Sequence, residues 1–395
     1  MSKAVQIGAG SIGRGFIGQL FSLSGYELVF VELDPRMVAA LNQDRRYPLR
    51  VISGQSGSET WIEGVRAVSA LDAAAVAGEL AGASVVGTAV GAGALAEIAP
   101  VLAAGLELRW RSGNLAPLNI ILCENLVDAD AVFRNLVASR LTPADRELLG
   151  RLVGFVRASV GRMVPVMTPQ MCEGNILRIW AEEYDHLLVD AEGFAGPVPP
   201  VRNMEPVAPF DYYIQRKLYI HNMGHAAAAY LGALGGCRFI GEAMGVPAIA
   251  GVVRAAMRES ATAIAAEHRL DEAPLFGHID ELLGRFANTR VAGTVERVGQ
   301  DLPRKLAPRD RFMGPIAMCR KWGLPRGDIL EALAAGLLFD DCRSTALRDE
   351  IARSGAGPAL ERFCGLDRLD PDASIVLERY EALRGGLLPA GQDLP

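Results

Sequence analysis

The chain has 395 residues, half of them hydrophobic and 22% charged, with a formal net charge of −6. That length exceeds what one compact core usually holds and points to two domains, and the negative balance argues against a nucleic-acid binder, which needs a basic face to neutralise phosphates. No apolar run reaches the ~18 residues of a membrane span, and Cys123, Cys172, Cys237, Cys319, Cys342 and Cys364 follow neither a disulfide nor a metal-ligand spacing, which fits a reducing cytoplasm and a chain with no membrane partner.

Residues 3–7 (KAVQI) read as a strand that starts at once, without a charged-then-apolar leader. It runs into GAGSIGRGFIGQLF, where Gly8, Gly10 and Gly13 give the G-x-G-x-x-G spacing before a helical pattern through Phe16, Leu20 and Phe21. A second strand, 27–31, ends at Glu32. The three glycines act differently. Gly8 makes the tight turn, Gly10 lets a pyrophosphate approach the backbone, and Gly13 lets the helix pack on the sheet. The helix start, Ser11 and Ile12 included, offers free N–H groups and a positive dipole end to phosphates. An acid 19 positions after Gly13 sits where it can bond the ribose hydroxyls. Strand, glycines, helix, strand and acid in that order predict a dinucleotide site. A carboxylate at Glu32 repels the 2′-phosphate of NADP and favours NAD, while Arg36, four residues on, offers that phosphate a partner.

Further strand and helix units follow. Residues 83–87 form a strand leading into the small-residue loop Thr88, Ala89, Val90, Gly91, then a helix over 92–105. Residues 118–123 (LNIILC) form an apolar strand that delivers Glu124 and Asn125 at its carboxyl end, where open α/β sheets bind ligands. Capping the next helix is the alternative role for Asn125. Residues 160–167 are a further strand candidate, and the acidic, then proline-rich text from 180 to 209 reads as the crossing between domains. Beyond residue 211 the pattern is amphipathic helices: 211–233, 238–245, 247–268, 273–286, 292–299, 308–322, 326–337, 342–354, 356–363 and 371–383, with a frayed tail, 387–395. The expected fold is an α/β N-terminal Rossmann-type doubly wound domain (1–205) followed by an all-α C-terminal domain (206–395).

The first of those helices carries KLYIHNMGHAAAAY, residues 217–230. At ~100° per residue, Asn222 lies about 140° around the axis from Lys217 and His225 about 80°, so all three share one side, with His221 between them. Two readings stand: a proton-handling arc beside small alanines, or a polar face capping a buried helix.

QIGAGSIGRGFIG, the TAVG loop, the CEN strand end and K-x4-N-x2-H followed by A-x-A-Y-L-G resemble the polyol-specific long-chain dehydrogenases, over nearly the whole chain. The strings LGRFANTRVAGTVERVGQDLPRKL and KWGLPRGDILEALAAGLLF are similar to the branch of that family acting on mannitol 1-phosphate. The resemblance implies NAD-dependent, metal-independent hydride transfer between a polyol and a ketose, with fructose 6-phosphate as the ketose for that branch. It assigns Lys217 as general base, Asn222 and Asn125 as the oxyanion-stabilising pair, and His225 as the residue that orients a substrate hydroxyl. Arg297 and Lys305, with Arg304 beside them, match basic residues lining the substrate pocket. A lysine base must be tuned from its usual range towards ~7–8 by burial or neighbouring cations. Gly161 stands where the family has an acid before R-[IM]-V-P, and Thr289 where it has proline in R-F-x-N-P. The same chemistry on an unphosphorylated polyol or a hexuronate is the alternative, and an NAD(H)-sensing protein without turnover is the reading from another class. The partners expected are the small-molecule substrate and, at most, a second copy of the chain.

Overall fold

The computed structural model describes residues 2–53, 56–126, 128–289 and 293–386; the tail 387–395, expected to fray, lies outside them. The chain divides into two compact units, Met1–Asp211 and Tyr212–Pro395, against a division expected after residue 205.

The described residues of the N-terminal unit form eleven strands: β1 (Lys3–Ile7), β2 (Glu27–Glu32), β3 (Arg46–Ser53), β4 (Ser56–Glu63), β5 (Val65–Ser69), β6 (Val85–Thr88), β7 (Leu118–Leu122), β8 (Val153–Val160), β9 (Ile179–Glu182), β10 (Leu187–Asp190) and β11 (Met204–Val207). Eight of them form one sheet in the order β11-β10-β8-β7-β6-β1-β2-β5, and β4-β3-β9 form a second. From β8 to β5 every pairing is parallel; β10 runs antiparallel to β8. The central strands are buried on both faces, and their alternation assigns the sides. Leu28 and Phe30 join the core that holds Phe16, Leu20 and Tyr47. Val29 and Val31 join the core under the helices Ala73–Ala81 and Leu95–Arg111, with Val76 and Leu102. Strand order reverses between β1 and β6, the switch point at which such sheets bind ligands.

Three readings of this unit need correction. Residues 161–167 are not a strand; the strand is β8, which ends where the expected one began. There Arg162 donates to the Glu182 carbonyl (2.7 Å) and the Met163 N–H to the Glu182 carboxylate (2.5 Å), contacts that replace a ladder. The segment 180–209 is not merely a crossing, because β10 and β11 extend the main sheet and β9 pairs with β3. The hairpin β3–β4 was missed, since β4 is exposed at all but one position and so carries no apolar run.

The C-terminal unit is helical, its one β-contact among the described residues being the bridge Phe239–Thr294. Helices Pro247–His268 and Ala273–Phe286 fall at the expected bounds. Helix Gly327–Leu337, buried from Ile329 to its end, packs against Pro247–His268, Met223–Leu234 and Pro371–Arg384. The expected 308–322 begins only at Met313, and a short helix, Leu302–Lys305, precedes it. Helix Pro371–Arg384 starts with proline at its first position and with the Asp370 carboxylate accepting from the Asp372 N–H. Among the described residues no helix is long and apolar enough to cross a membrane.

The close crossing of β1 and the first helix is the least forgiving point of the sheet. A Cβ at Gly13 would lie 1.9 Å from the Gly8 carbonyl oxygen. Gly13→Ala is therefore expected to lower the unfolding free energy by about 2 kcal/mol or more, read from the urea midpoint at constant m-value.

Candidate active site

At the switch point the turn after β1 folds back on the turn after β6. Gly8 has φ +92°, and a Cβ there would meet the Ala89 carbonyl at 2.6 Å and Val90 Cγ1 at 3.0 Å. A Cβ at Gly10 would meet nothing within 4 Å, so the space over this residue is open, as a phosphate approaching the backbone requires. Helix begins at Ser11, and its first N–H groups, those of Ser11 and Ile12 included, have no acceptor one turn earlier in the helix. An open glycine under first-turn donors fits a dinucleotide pyrophosphate.

Carboxylates hold this cradle. Glu32 Oε2 accepts from the Ala9 N–H (2.9 Å), and Oε1 accepts from Leu33 (2.7 Å) and Asp34 (3.0 Å). Buried Glu124 accepts from the Val90 N–H (3.0 Å) and the Gly91 N–H (2.7 Å). Val90 thus lines the turn with its side chain while its N–H is engaged. Thr88 is fully buried, and its hydroxyl has no partner among the described residues. Arg14, directly after the last glycine of the motif, is buried and donates to the Ala9 carbonyl (2.6 Å) and the Leu177 carbonyl (2.5 Å), and burial lowers its pKa. Its charge braces the loop from behind. The sequence placed Glu124 at a ligand-binding strand end without a role and gave no sign of Arg14, because a carboxylate or guanidinium bonded to backbone has no sequence pattern. Asn125 is exposed, and Asp128, not Asn125, occupies the N-cap position of the following helix, Ala129–Ala138.

One helix runs from Phe210 to Leu234, all but its first two residues in the C-terminal unit, and its middle, Arg216–Asn222, is π-helical. The 100° count therefore does not apply there. With i→i+5 bonding the turn is wider and holds more residues, so Lys217 and Asn222 lie closer around the axis than in a regular helix. Buried Ser260 donates to the Tyr219 carbonyl inside the segment at 2.8 Å, giving a backbone acceptor of the irregular turn a partner. Lys217, Asn222 and His225 are half-buried, while Leu218, Ile220, His221, Met223 and Gly224 between them are buried.

His225 stacks on Phe286, with centroids 4.8 Å apart and planes 14° apart. His221 lies 5.6 Å from the same ring and 6.3 Å from His225. Burial, then Arg285, His225 and Lys217, hold the pKa of His221 well below its ordinary value, so it stays neutral. Phe286, fully buried, is the residue of R-F-x-N that the sequence left without a role.

The expected substrate-binding cations differ in setting. Arg297 is exposed, its N–H capped by the Thr294 hydroxyl. Arg304 pairs with Asp301 (2.5 Å) and Asp310 (3.6 Å). Lys305 is buried, donates to the Val298 carbonyl (2.5 Å), and has its pKa lowered to about 7 by burial and then by Arg311 and Arg304. Among the described residues no group of three or more His, Cys, Asp or Glu is placed to hold a metal.

Residues 2–202 match the model of the mannitol dehydrogenase Rossmann domain, and 210–351 that of the mannitol dehydrogenase C-terminal domain. The chain is 36% identical to a mannitol-1-phosphate 5-dehydrogenase of Geobacillus thermodenitrificans, across 97% of this chain and 99% of that one. It is 34% identical to a protein of the same name from Brevibacillus brevis, across 96% and 98%. In fold it is similar to Pseudomonas fluorescens mannitol 2-dehydrogenase, solved with NAD and D-mannitol: TM-score 0.79, 18% identity, 97% of this chain and 92% of that one.

Lys305 ties stability to pH. Above about pH 7 the folded chain holds it neutral, whereas the unfolded chain stays protonated to about 10.5. Unfolding in that window takes up a proton, so raising the pH stabilises the fold, and this contribution is lost as the pH falls through 7. Lys305→Met removes the linkage. Its stability relative to the parent chain is expected to decline steadily from pH 7 to pH 10, measured from urea midpoints at each pH.

Proposed function

The chain belongs to the mannitol dehydrogenase family, NAD-dependent oxidoreductases of polyols, and from that premise we propose that its substrate pair is mannitol 1-phosphate and fructose 6-phosphate. The observation that carries this reading is the near full-length identity to proteins named for that polyol phosphate. A cytoplasmic location belongs to the same reading, supported by six cysteines of which none is in a disulfide.

Gly8, Gly10, Ser11, Ile12 and Gly13 hold the pyrophosphate of NAD, Glu32 accepts from the ribose hydroxyls, and Thr88, Ala89 and Val90 form the facing turn. Bound NAD supplies the acceptor for the hydride that leaves the carbinol carbon. The Lys217 amine takes the proton of the reacting hydroxyl. The Asn222 amide, with Asn125 as a second donor, stabilises the negative charge left on that oxygen; one such donor is worth about 3 kcal/mol of barrier. His225 bonds a neighbouring hydroxyl and so fixes which carbon reacts, and the Phe286 stack fixes the plane of its ring. Arg297 and Lys305 take the phosphate, with Arg304 beside them; guanidinium and ammonium groups suit such an anion.

Following NADH absorbance at 340 nm with fructose 6-phosphate, fructose and fructuronate in turn separates the substrates. Consumption with fructose 6-phosphate alone is expected, and equal rates with fructose would sink the phosphate assignment. Lys217→Ala is expected to lower kcat by roughly 10²-fold or more while the NADH dissociation constant stays within about threefold. Near-normal turnover would remove the lysine from the mechanism.

A further inference from the structure

The turn after β2 contains a second acid with no assigned role. Asp34 caps the helix Pro35–Asp44 through its Oδ1, which accepts from the Arg36 N–H at 2.9 Å. The same carboxylate grips the Arg36 side chain twice, Oδ1 with Nε at 3.1 Å and Oδ2 with Nη2 at 2.8 Å. The pairing lowers the pKa of Asp34 and raises that of Arg36. Apart from this grip the guanidinium stands in solvent, with its side chain 80% exposed. Glu32 lies two residues before Asp34, its carboxylate fixed by three backbone N–H groups and bonded to the glycine-rich turn.

We propose that Asp34 is a further determinant of cofactor choice, keeping NADP out by occupying the guanidinium of Arg36. The proposal rests on the assignment of Glu32 to the ribose of NAD. Arg36 is the one cation of residues 27–40, and a 2′-phosphate carries close to two negative charges. A guanidinium suits that phosphate through paired N–H bonds, the same two-point geometry that Asp34 now uses. With Arg36 neutralised, residues 32–36 present a net charge of −1, from Glu32, Asp34 and Arg36 together. A phosphate there meets Glu32 with no free partner. An exposed ion pair is weak, so the device shifts preference rather than setting it absolutely.

Asn caps a helix as well as Asp does, so Asp34→Asn keeps the cap and loses the charged grip. Dissociation constants for NADH and NADPH, from nicotinamide fluorescence titrations of the full chain, give the readout without substrate. Asp34→Asn is expected to tighten NADPH binding about three- to tenfold while NADH changes less than about twofold. Arg36→Ala in the parent chain is expected to alter the NADPH constant little, and Asp34→Asn with Arg36→Ala to return it to the parent value, because the gain belongs to the released arginine. An unchanged NADPH constant in Asp34→Asn overturns the proposal, as does a gain that survives in full without Arg36. A parent chain that binds neither nucleotide overturns the NAD assignment first and the proposal with it, which separates the two failures.

Discussion

The N-terminal unit depends on one constraint: backbone must approach backbone where the turn after β1 meets the helix that follows and the turn after β6. At Gly13 the Cβ of any other residue would fall inside the contact distance of the Gly8 carbonyl, and at Gly8 it would strike the Ala89 carbonyl. Positive φ at Gly8 turns the chain sharply enough to bring the helix start over the sheet's carboxyl edge. Once that approach is made, the first-turn N–H groups cluster beside the open space above Gly10. What remains is to hold the cluster still. Glu32 and Glu124 do so from the ends of β2 and β7, the parallel strands that flank β1 and β6, each accepting from N–H groups of the two turns. Arg14 completes the brace by donating to the Ala9 carbonyl of the same turn.

The C-terminal unit meets a different demand, that of presenting side chains rather than backbone. The π-helical stretch Arg216–Asn222, with more residues per turn, brings Lys217 and Asn222 closer around the axis than a regular helix would. Such a turn weakens the hydrogen-bond ladder and persists only if its surroundings compensate. Ser260 gives the Tyr219 carbonyl a donor, Gly314 leaves room for the Tyr219 ring, and the small face from Ala226 to Ala229 buries completely. The cost of the irregular turn is thus met by packing on its far side, leaving the polar side half-buried.

Much of this was legible in the sequence, and for identifiable reasons. Glycine spacing reports backbone geometry directly, so the cradle could be read from Gly8, Gly10 and Gly13. Helices such as Pro247–His268 announce their start with proline and their end with a basic residue in the last turn. What stayed hidden has one cause in common: it depends on contacts that only the folded chain makes. β4 has an exposed strand's mixed composition and exists because β3 pairs with it. Residues 161–167 look like a strand by composition, yet their polar groups go to Glu182 instead. The π turn is equally invisible to a wheel drawn at a fixed angle. Phe286 gave no signal as a partner of His225, since 61 positions separate them and only the fold stacks their rings.

Buried cations show how far local chemistry can depart from residue type. Arg14 and Arg109 are buried with carbonyl oxygens as their bonded partners, and burial lowers the pKa of each. A guanidinium tolerates this because its charge is delocalised over five donors and its pKa starts so high that a substantial depression leaves it protonated. Lys305, also buried and bonded to a carbonyl, begins lower and lands near neutrality. The same burial therefore gives a permanent structural cation with arginine and a titrating amine with lysine. That difference explains why arginines serve as struts behind the nucleotide cradle and between the helix Leu95–Arg111 and the segments leading into β6 and β7. In a site built to meet an anion, an amine poised near neutrality can instead gain its proton as the anion arrives, so its charge is present when it has a partner and costs least when it has none.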